Sequence, residues 1–69
     1  MNTIKVLELI GTSPGSWEEA AQNAIREAHE TVEKITGLEV VAQTAKVEGG
    51  KITEYRTTVK IAFLVRSQR

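Results

Sequence analysis

The chemistry open to this chain is limited first by its single histidine, His29. Imidazole titrates closest to neutral pH, so His29 is the first residue to consider as a general base. A general base needs an orienting partner and a substrate pocket, and the sequence supplies no obvious partner for His29. The serines and threonines are scattered, and with no second histidine they assemble no catalytic triad. We therefore expect His29 to lie at an interface or in solvent.

The acidic residues allow a different chemistry, which is the binding of a cation. Nine carboxylates are spread evenly along the chain, and none belongs to an EF-hand loop. A closed oligomer repeats each carboxylate around its symmetry axes, so a single glutamate becomes a ring of glutamates. Such a ring is a feasible cation site that one chain cannot display by itself.

Three other features have plain structural explanations. Residues 11–15 form a glycine-containing turn before a helix, but they match neither phosphate-binding glycine motif, so Thr12 and Ser13 are predicted to be ordinary turn formers. Trp17 falls in the first helical turn and is predicted to be a packing residue. Arg56 is predicted to be a solvated charge on a strand face that points away from the helix.

Size and composition favour one small domain that assembles with copies of itself. The chain has 69 residues, here taken as one domain 1–69, and a domain of this size is marginally stable alone. It has no cysteine for disulfides or a structural zinc site. Self-assembly is therefore the remaining way to stabilise a domain of this size. The formal charge of zero gives no support for a nucleic-acid partner. Neither a membrane span nor a signal peptide is visible, so we expect a cytoplasmic protein without a membrane partner.

A helix is predicted over residues 16–35. Ser16 and Glu19 have the spacing of a capping box, in which the hydroxyl accepts a backbone N–H and the carboxylate reaches back to the cap. Arg26 is placed to pair with Gln22 and Glu30 on the polar face. Residues 36–37 are predicted to end the helix. The apolar stripe contains four small residues that let another backbone approach closely, namely Ala20, Ala21, Ala24 and Ala28.

Three strands are predicted around this helix, over residues 3–10, 38–48 and 52–66. Gly49 and Gly50 predict a tight hairpin turn between the last two strands. The third strand alternates with period two, which predicts that one of its faces packs against the helix. The side chains on that face are Tyr55, Thr57, Val59, Ile61, Phe63 and Val65.

The order strand, helix, strand, strand predicts an α+β fold, with one helix packed on a three-stranded antiparallel sheet. One helix covers one face of a sheet, and the opposite face keeps apolar side chains. Contiguous exposed apolar surface marks an interface, so we expect a closed homo-oligomer. The side chains expected on this second face are Ile4, Val6, Ile10, Ala62 and Leu64.

Several segments, in this order and spacing, resemble the dodecin family over about residues 4 to 65. They are Ile10-Gly11-Thr12-Ser13, Ser16-Trp17-Glu18-Glu19-Ala20-Ala21, Leu38-Glu39-Val40 and Tyr55-Arg56-Thr57. The resemblance implies the same strand–helix–strand–strand fold. It also implies a hollow shell of twelve identical subunits and a role in binding flavins such as riboflavin.

Two positions decide what the resemblance implies about flavin. Flavin-binding dodecins stack a tryptophan on the flavin ring and pair a glutamine with the ring edge, and the matching positions here hold Gly37 and Arg56. Glycine offers no ring to stack, and a guanidinium donates hydrogen bonds but accepts none. The segments around residues 11–18 and 55–56 look closer to the calcium-binding branch of the family. Strand carboxylates that symmetry could gather as metal ligands are Glu39, Glu48 and Glu54.

The first hypothesis is therefore a non-catalytic homododecamer that binds or stores a small ligand or a cation such as calcium. The alternative is a dodecin that binds and stores flavin (riboflavin or FMN) through a contact that replaces the missing tryptophan. A small enzyme is the third hypothesis, and the absence of a general base with a partner argues against it.

Overall fold

The computed structural model describes residues 2–66, which form one helix and three strands. Strand β1 is Asn2–Ser13, helix α1 is Trp17–His29, strand β2 is Ile35–Glu48 and strand β3 is Lys51–Arg66. The strands form one antiparallel sheet in the order β1-β3-β2, and α1 packs on one face of it. This confirms the predicted α+β fold. The helix is too short to cross a membrane.

Strand β1 is longer than predicted because the glycine of the expected turn remains in the sheet. Gly11, Thr12 and Ser13 continue the pairing with β3, opposite Thr57, Arg56 and Tyr55 in that order. The turn into the helix is therefore shorter than the predicted five residues.

Half of the predicted capping box is present at the start of α1. Ser16 has an extended backbone (φ −167°, ψ 162°), and its side chain accepts the backbone N–H of Glu19 at 3.0 Å. The carboxylate of Glu19 does not return to Ser16, because its Oε1 accepts the hydroxyl of Ser13 instead. The Ser13 Oγ also accepts the backbone N–H of Gly15 at 2.9 Å. The buried end of β1 and the start of α1 are thus joined through Ser13.

The predicted end of the helix is wrong, because α1 stops at His29, six residues before residue 35. Glu30 is its C-cap, and Lys34 then adopts a left-handed backbone conformation (φ 58°). Ile35 leaves the helical path to pair with Phe63 of β3 and pack against the core. Gly37 therefore lies in β2 and does not cap a helix.

The core lies between the alanines of α1 and the middle of β3. Val59 and Ile61 are fully buried against Ala24 and Ala28. The backbone of β1 passes so close to α1 that a Cβ atom added to Gly11 would lie 1.9 Å from the carbonyl oxygen of Ala20. This close approach confirms the expectation drawn from the alanine stripe, and it explains why glycine occupies position 11.

The hairpin between β2 and β3 forms as predicted. Gly49 and Gly50 both have positive φ angles, 60° and 76°, which a tight two-residue hairpin of this kind requires. The two strands pair up to this turn, where Glu48 lies opposite Lys51.

The helix leaves much of the sheet uncovered. The chain is 57 Å long, whereas 13 helical residues span only about 20 Å. On the face opposite α1, called the outer face below, Ile4, Val6 and Ile10 are 62%, 59% and 63% exposed. This confirms the predicted apolar second face. Leu38 and Val40 of β2 are also exposed, since the helix lies mainly over β1 and β3.

We predict that Gly11→Ala destabilises the protein by about 3 kcal/mol or more, because the new methyl group overlaps the helix backbone. The free energy of unfolding in urea measures this loss. Gly37→Ala is the matched control, since a Cβ atom there meets nothing within 4 Å, and it is expected to have little effect. Equal stability of the two variants would contradict the close approach of β1 to α1.

Candidate functional site

Arg56 lies on the outer face of β3, as the sequence predicts, but it is not simply solvated. Its guanidinium Nε donates to Oε2 of Glu54 at 2.9 Å, and both side chains are substantially exposed. In the sheet Arg56 is opposite Thr12 of β1 and Thr44 of β2. Residues directly opposite each other share a sheet face, so one basic side chain stands between two hydroxyl side chains.

Gly37 lies on the same outer face near the start of β2, opposite Ala62. Ala62 and Arg56 are six residues apart on β3, which corresponds to about 20 Å. One chain therefore does not bring Gly37 and Arg56 together. The space beside Gly37 is open, with no atom within 4 Å of a Cβ placed there. A pocket that uses both positions must be built from more than one chain.

The three candidate metal ligands are also far apart in the single chain, and each has a basic neighbour. Glu39 is opposite Lys60, Glu48 lies 3.4 Å from the Lys46 ammonium, and Glu54 pairs with Arg56. Glu39 and Glu48 are separated by nine strand residues, or about 30 Å. Within residues 2–66, no three carboxylate or imidazole side chains gather into a group able to hold a metal ion.

His29 is the last residue of α1 and is exposed, in agreement with the expectation of an interface or solvent position.

Trp17 packs as predicted and also fixes β2. Its ring meets that of Tyr55 edge to face, with the centroids 4.8 Å apart and the planes at 83°. The indole Nε1 donates to the backbone carbonyl of Thr44 at 2.7 Å, and the Trp17 carbonyl accepts the buried hydroxyl of Thr57 at 2.8 Å. The first turn of α1 is thereby tied to both β2 and β3.

Sequence reasoning assigned the wrong partners to Arg26. Its Nη1 donates to Oδ1 of Asn23 at 2.7 Å, not to Gln22 or Glu30. The Asn23 Nδ2 in turn donates to the backbone carbonyl of Thr12 at 2.9 Å. The three-residue spacing of Asn23 and Arg26 is a signal that could have identified this pair, because such residues are neighbours on a helix.

A groove of about 510 Å³ runs between α1 and the end of β1. Its polar lining includes Thr12, Asn23, Arg26, Glu27 and Glu30. The groove contains neither Gly37 nor Arg56, so it is not the pocket expected from the family resemblance.

We predict that Thr57→Val lowers the free energy of unfolding by about 1 to 2 kcal/mol, because the Trp17 carbonyl loses its buried donor. Urea unfolding checks this value. Thr53→Val makes the same chemical change at an exposed position near the hairpin, where we expect a change within about 0.5 kcal/mol. A Thr57→Val protein as stable as Thr53→Val would contradict the proposed tie between Trp17 and β3.

Comparison with known proteins identifies relatives along almost the whole chain. Residues 3–66 match the family model described as Dodecin. The chain is 42% identical over 67 residues to calcium dodecin from Mycobacterium tuberculosis, covering 96% of this chain and 93% of that protein.

Solved structures give the same result. The dodecin from Streptomyces coelicolor superimposes with a TM-score of 0.93 at 28% identity, over 97% of this chain and 96% of that one. The crystal structure of calcium dodecin from M. tuberculosis, described as having a novel calcium-binding site, has a TM-score of 0.82 at 38% identity. That match covers 97% of this chain and 96% of the other. On the agreement of sequence, fold and length, this chain belongs to the dodecin family.

Proposed function

We propose that this protein is a non-catalytic homododecamer that binds and stores a cation, calcium in the first instance, or a small ligand. The observation that carries the proposal is the 42% identity to calcium dodecin along 96% of the chain. Its partners are then copies of itself and the bound ion or ligand.

The exposed outer face supports the assembly. Three large aliphatic side chains on that face, Ile4, Val6 and Ile10, are about 60% exposed in the single chain. Covering them with copies of the chain removes this apolar area from water, which is the main driving force for association. Twelve chains of 7.6 kDa would give a shell of about 91 kDa.

The distribution of carboxylates supports a cation site that is shared between subunits. Calcium takes six to eight oxygen ligands, and the described part of one chain gathers no such set. Symmetry axes of an assembly bring equivalent carboxylates from several chains together. Glu39, Glu48 and Glu54 remain the candidate ligands, and Glu54 is the least exposed of the three.

We predict that calcium binding produces heat in isothermal titration calorimetry of the assembled protein. Glu54→Gln is expected to weaken calcium binding about tenfold or more, because a neutral amide replaces a charged ligand. Glu33→Gln, at an exposed position between α1 and β2, is the matched control and should bind like the native protein. No heat from the native protein would contradict the cation proposal, and equal binding by Glu54→Gln would remove Glu54 from the ligands.

The second candidate function, flavin storage, is favoured by the match to dodecins as a family. Against it stand the residues at the two expected flavin positions, since Gly37 has no aromatic face and Arg56 accepts no hydrogen bond. We propose that the native protein lacks the flavin-stacking tryptophan, because its one tryptophan, Trp17, is engaged with Tyr55 and Thr44.

We predict that the native protein leaves riboflavin fluorescence unchanged at micromolar concentrations. The double variant with Gly37→Trp and Arg56→Gln is expected to quench it, because the open space beside Gly37 admits a ring and the amide restores an acceptor. The control is Arg56→Gln alone, which restores the amide without the ring. Strong quenching by the native protein would favour flavin storage instead. A double variant that assembles but does not quench riboflavin fluorescence would show that the two flavin positions are wrongly assigned.

A further inference from the structure

We propose that Thr12, Arg56 and Thr44 form a binding site for an oxyanion group, phosphate or carboxylate, of a small ligand. The three residues, called the Thr–Arg–Thr row below, lie side by side across the outer face of the three strands. The proposal rests on the small-ligand part of the proposed function, and it adds the chemical class of the ligand and the residues that bind it.

The row presents hydrogen-bond donors on one face of the sheet. Directly opposed residues of an antiparallel pair have Cβ atoms about 5 Å apart, so each threonine hydroxyl can act together with the guanidinium. A hydroxyl and a guanidinium both donate to an oxyanion. Thr12, Arg56 and Thr44 are all exposed in the single chain.

The ion pair with Glu54 orients Arg56 without using all its donors. Only Nε is engaged, at 2.9 Å from Glu54 Oε2. Among residues 2–66, no protein oxygen accepts a hydrogen bond from the two Nη nitrogens. The planar fork of these nitrogens matches the two oxygens of a carboxylate or phosphate, which it binds with two parallel hydrogen bonds.

Both threonines of the row are held in place by side chains of the same helix. Asn23 donates to the Thr12 carbonyl at 2.9 Å, and Trp17 donates to the Thr44 carbonyl at 2.7 Å. Arg26 holds Asn23 in turn at 2.7 Å. A site whose backbone is fixed before binding loses less conformational entropy when the ligand arrives. The two ends of the row are therefore fixed relative to each other through α1.

Charge favours an anion at the row itself, because Arg56 is its only charged member and a guanidinium attracts an oxyanion. A calcium ion bound to Glu54 would have to displace Arg56 from that carboxylate, so the two ligands are expected to compete. The carboxylate of Glu54 competes with an incoming anion for Arg56, so removing that charge is expected to strengthen anion binding. Glu54 faces Lys46 across the sheet, which balances part of its charge.

The test uses inorganic phosphate, without calcium, on the assembled native protein, with Trp17 fluorescence as the readout because the indole is bonded to Thr44. We expect saturable phosphate binding, at least about tenfold weaker in Arg56→Gln and several-fold weaker in the double variant Thr12→Val, Thr44→Val. Lys60→Gln is the matched control, since it removes one positive charge from the same face two rows away and should bind like the native protein. A parallel titration with acetate determines whether a carboxylate suffices or phosphate is required.

Several outcomes would overturn the proposal: no saturable response to either anion, unchanged binding in Arg56→Gln, or an equal loss in Lys60→Gln. If Arg56→Gln does not assemble, phosphate binding by the double variant Thr12→Val, Thr44→Val tests the proposal instead. This variant is expected to fold, because valine has the shape of threonine and suits a strand. Glu54→Gln separates this proposal from the cation function. This variant is expected to bind phosphate several-fold more tightly and calcium more weakly. The two titrations can therefore contradict one proposal without contradicting the other.

Discussion

The structure depends on a mismatch of lengths between its helix and its sheet. A 13-residue helix spans about 20 Å, while the chain it has to cover extends over 57 Å. The helix therefore builds a small core with Val59 and Ile61 and leaves the outer face and the ends of the strands in water. Residues 2–66 contain no second helix that covers the outer face, and the sequence has no cysteine for a disulfide. The proposed association of copies would remove the exposed apolar surface from water, and it would also bring together residues that one chain holds apart.

Within the single chain, α1 connects all three strands with few residues. Glu19 binds the end of β1 through Ser13, Trp17 binds β2 at Thr44 and accepts from β3 at Thr57, and Asn23 binds β1 at Thr12. Gly11 lets β1 approach the helix backbone closely, beside the contacts that Glu19 and Asn23 make with that strand. Together, the contacts of α1 fix the backbone on both sides of Arg56, although the helix and Arg56 lie on opposite faces of the sheet. Packing on one face thus positions a row of side chains on the other.

Much of this fold could be predicted from the sequence, because local patterns and tertiary contacts agree. The period-two alternation of β3, the glycine pair of the hairpin and the alanine stripe each predicted what is observed. The end of the helix was predicted wrongly, because Val32 and Ile35 continue the helical stripe in sequence, whereas Ile35 pairs with Phe63 in the sheet. The candidate site was predictable only in part. The resemblance pointed to Gly37 and Arg56, but their separation of about 20 Å, and the proposed roles of Thr12, Thr44 and Asn23, depend on strand register.

The central claim is that the chain works as a symmetric assembly of identical copies. Sedimentation equilibrium of the purified protein at micromolar concentration tests it most directly, because it gives the mass in solution without labels or ligands. The account predicts a single species of about 91 kDa, twelve times the 7.6 kDa of one chain. A folded, stable monomer of 7.6 kDa under the same conditions would contradict it.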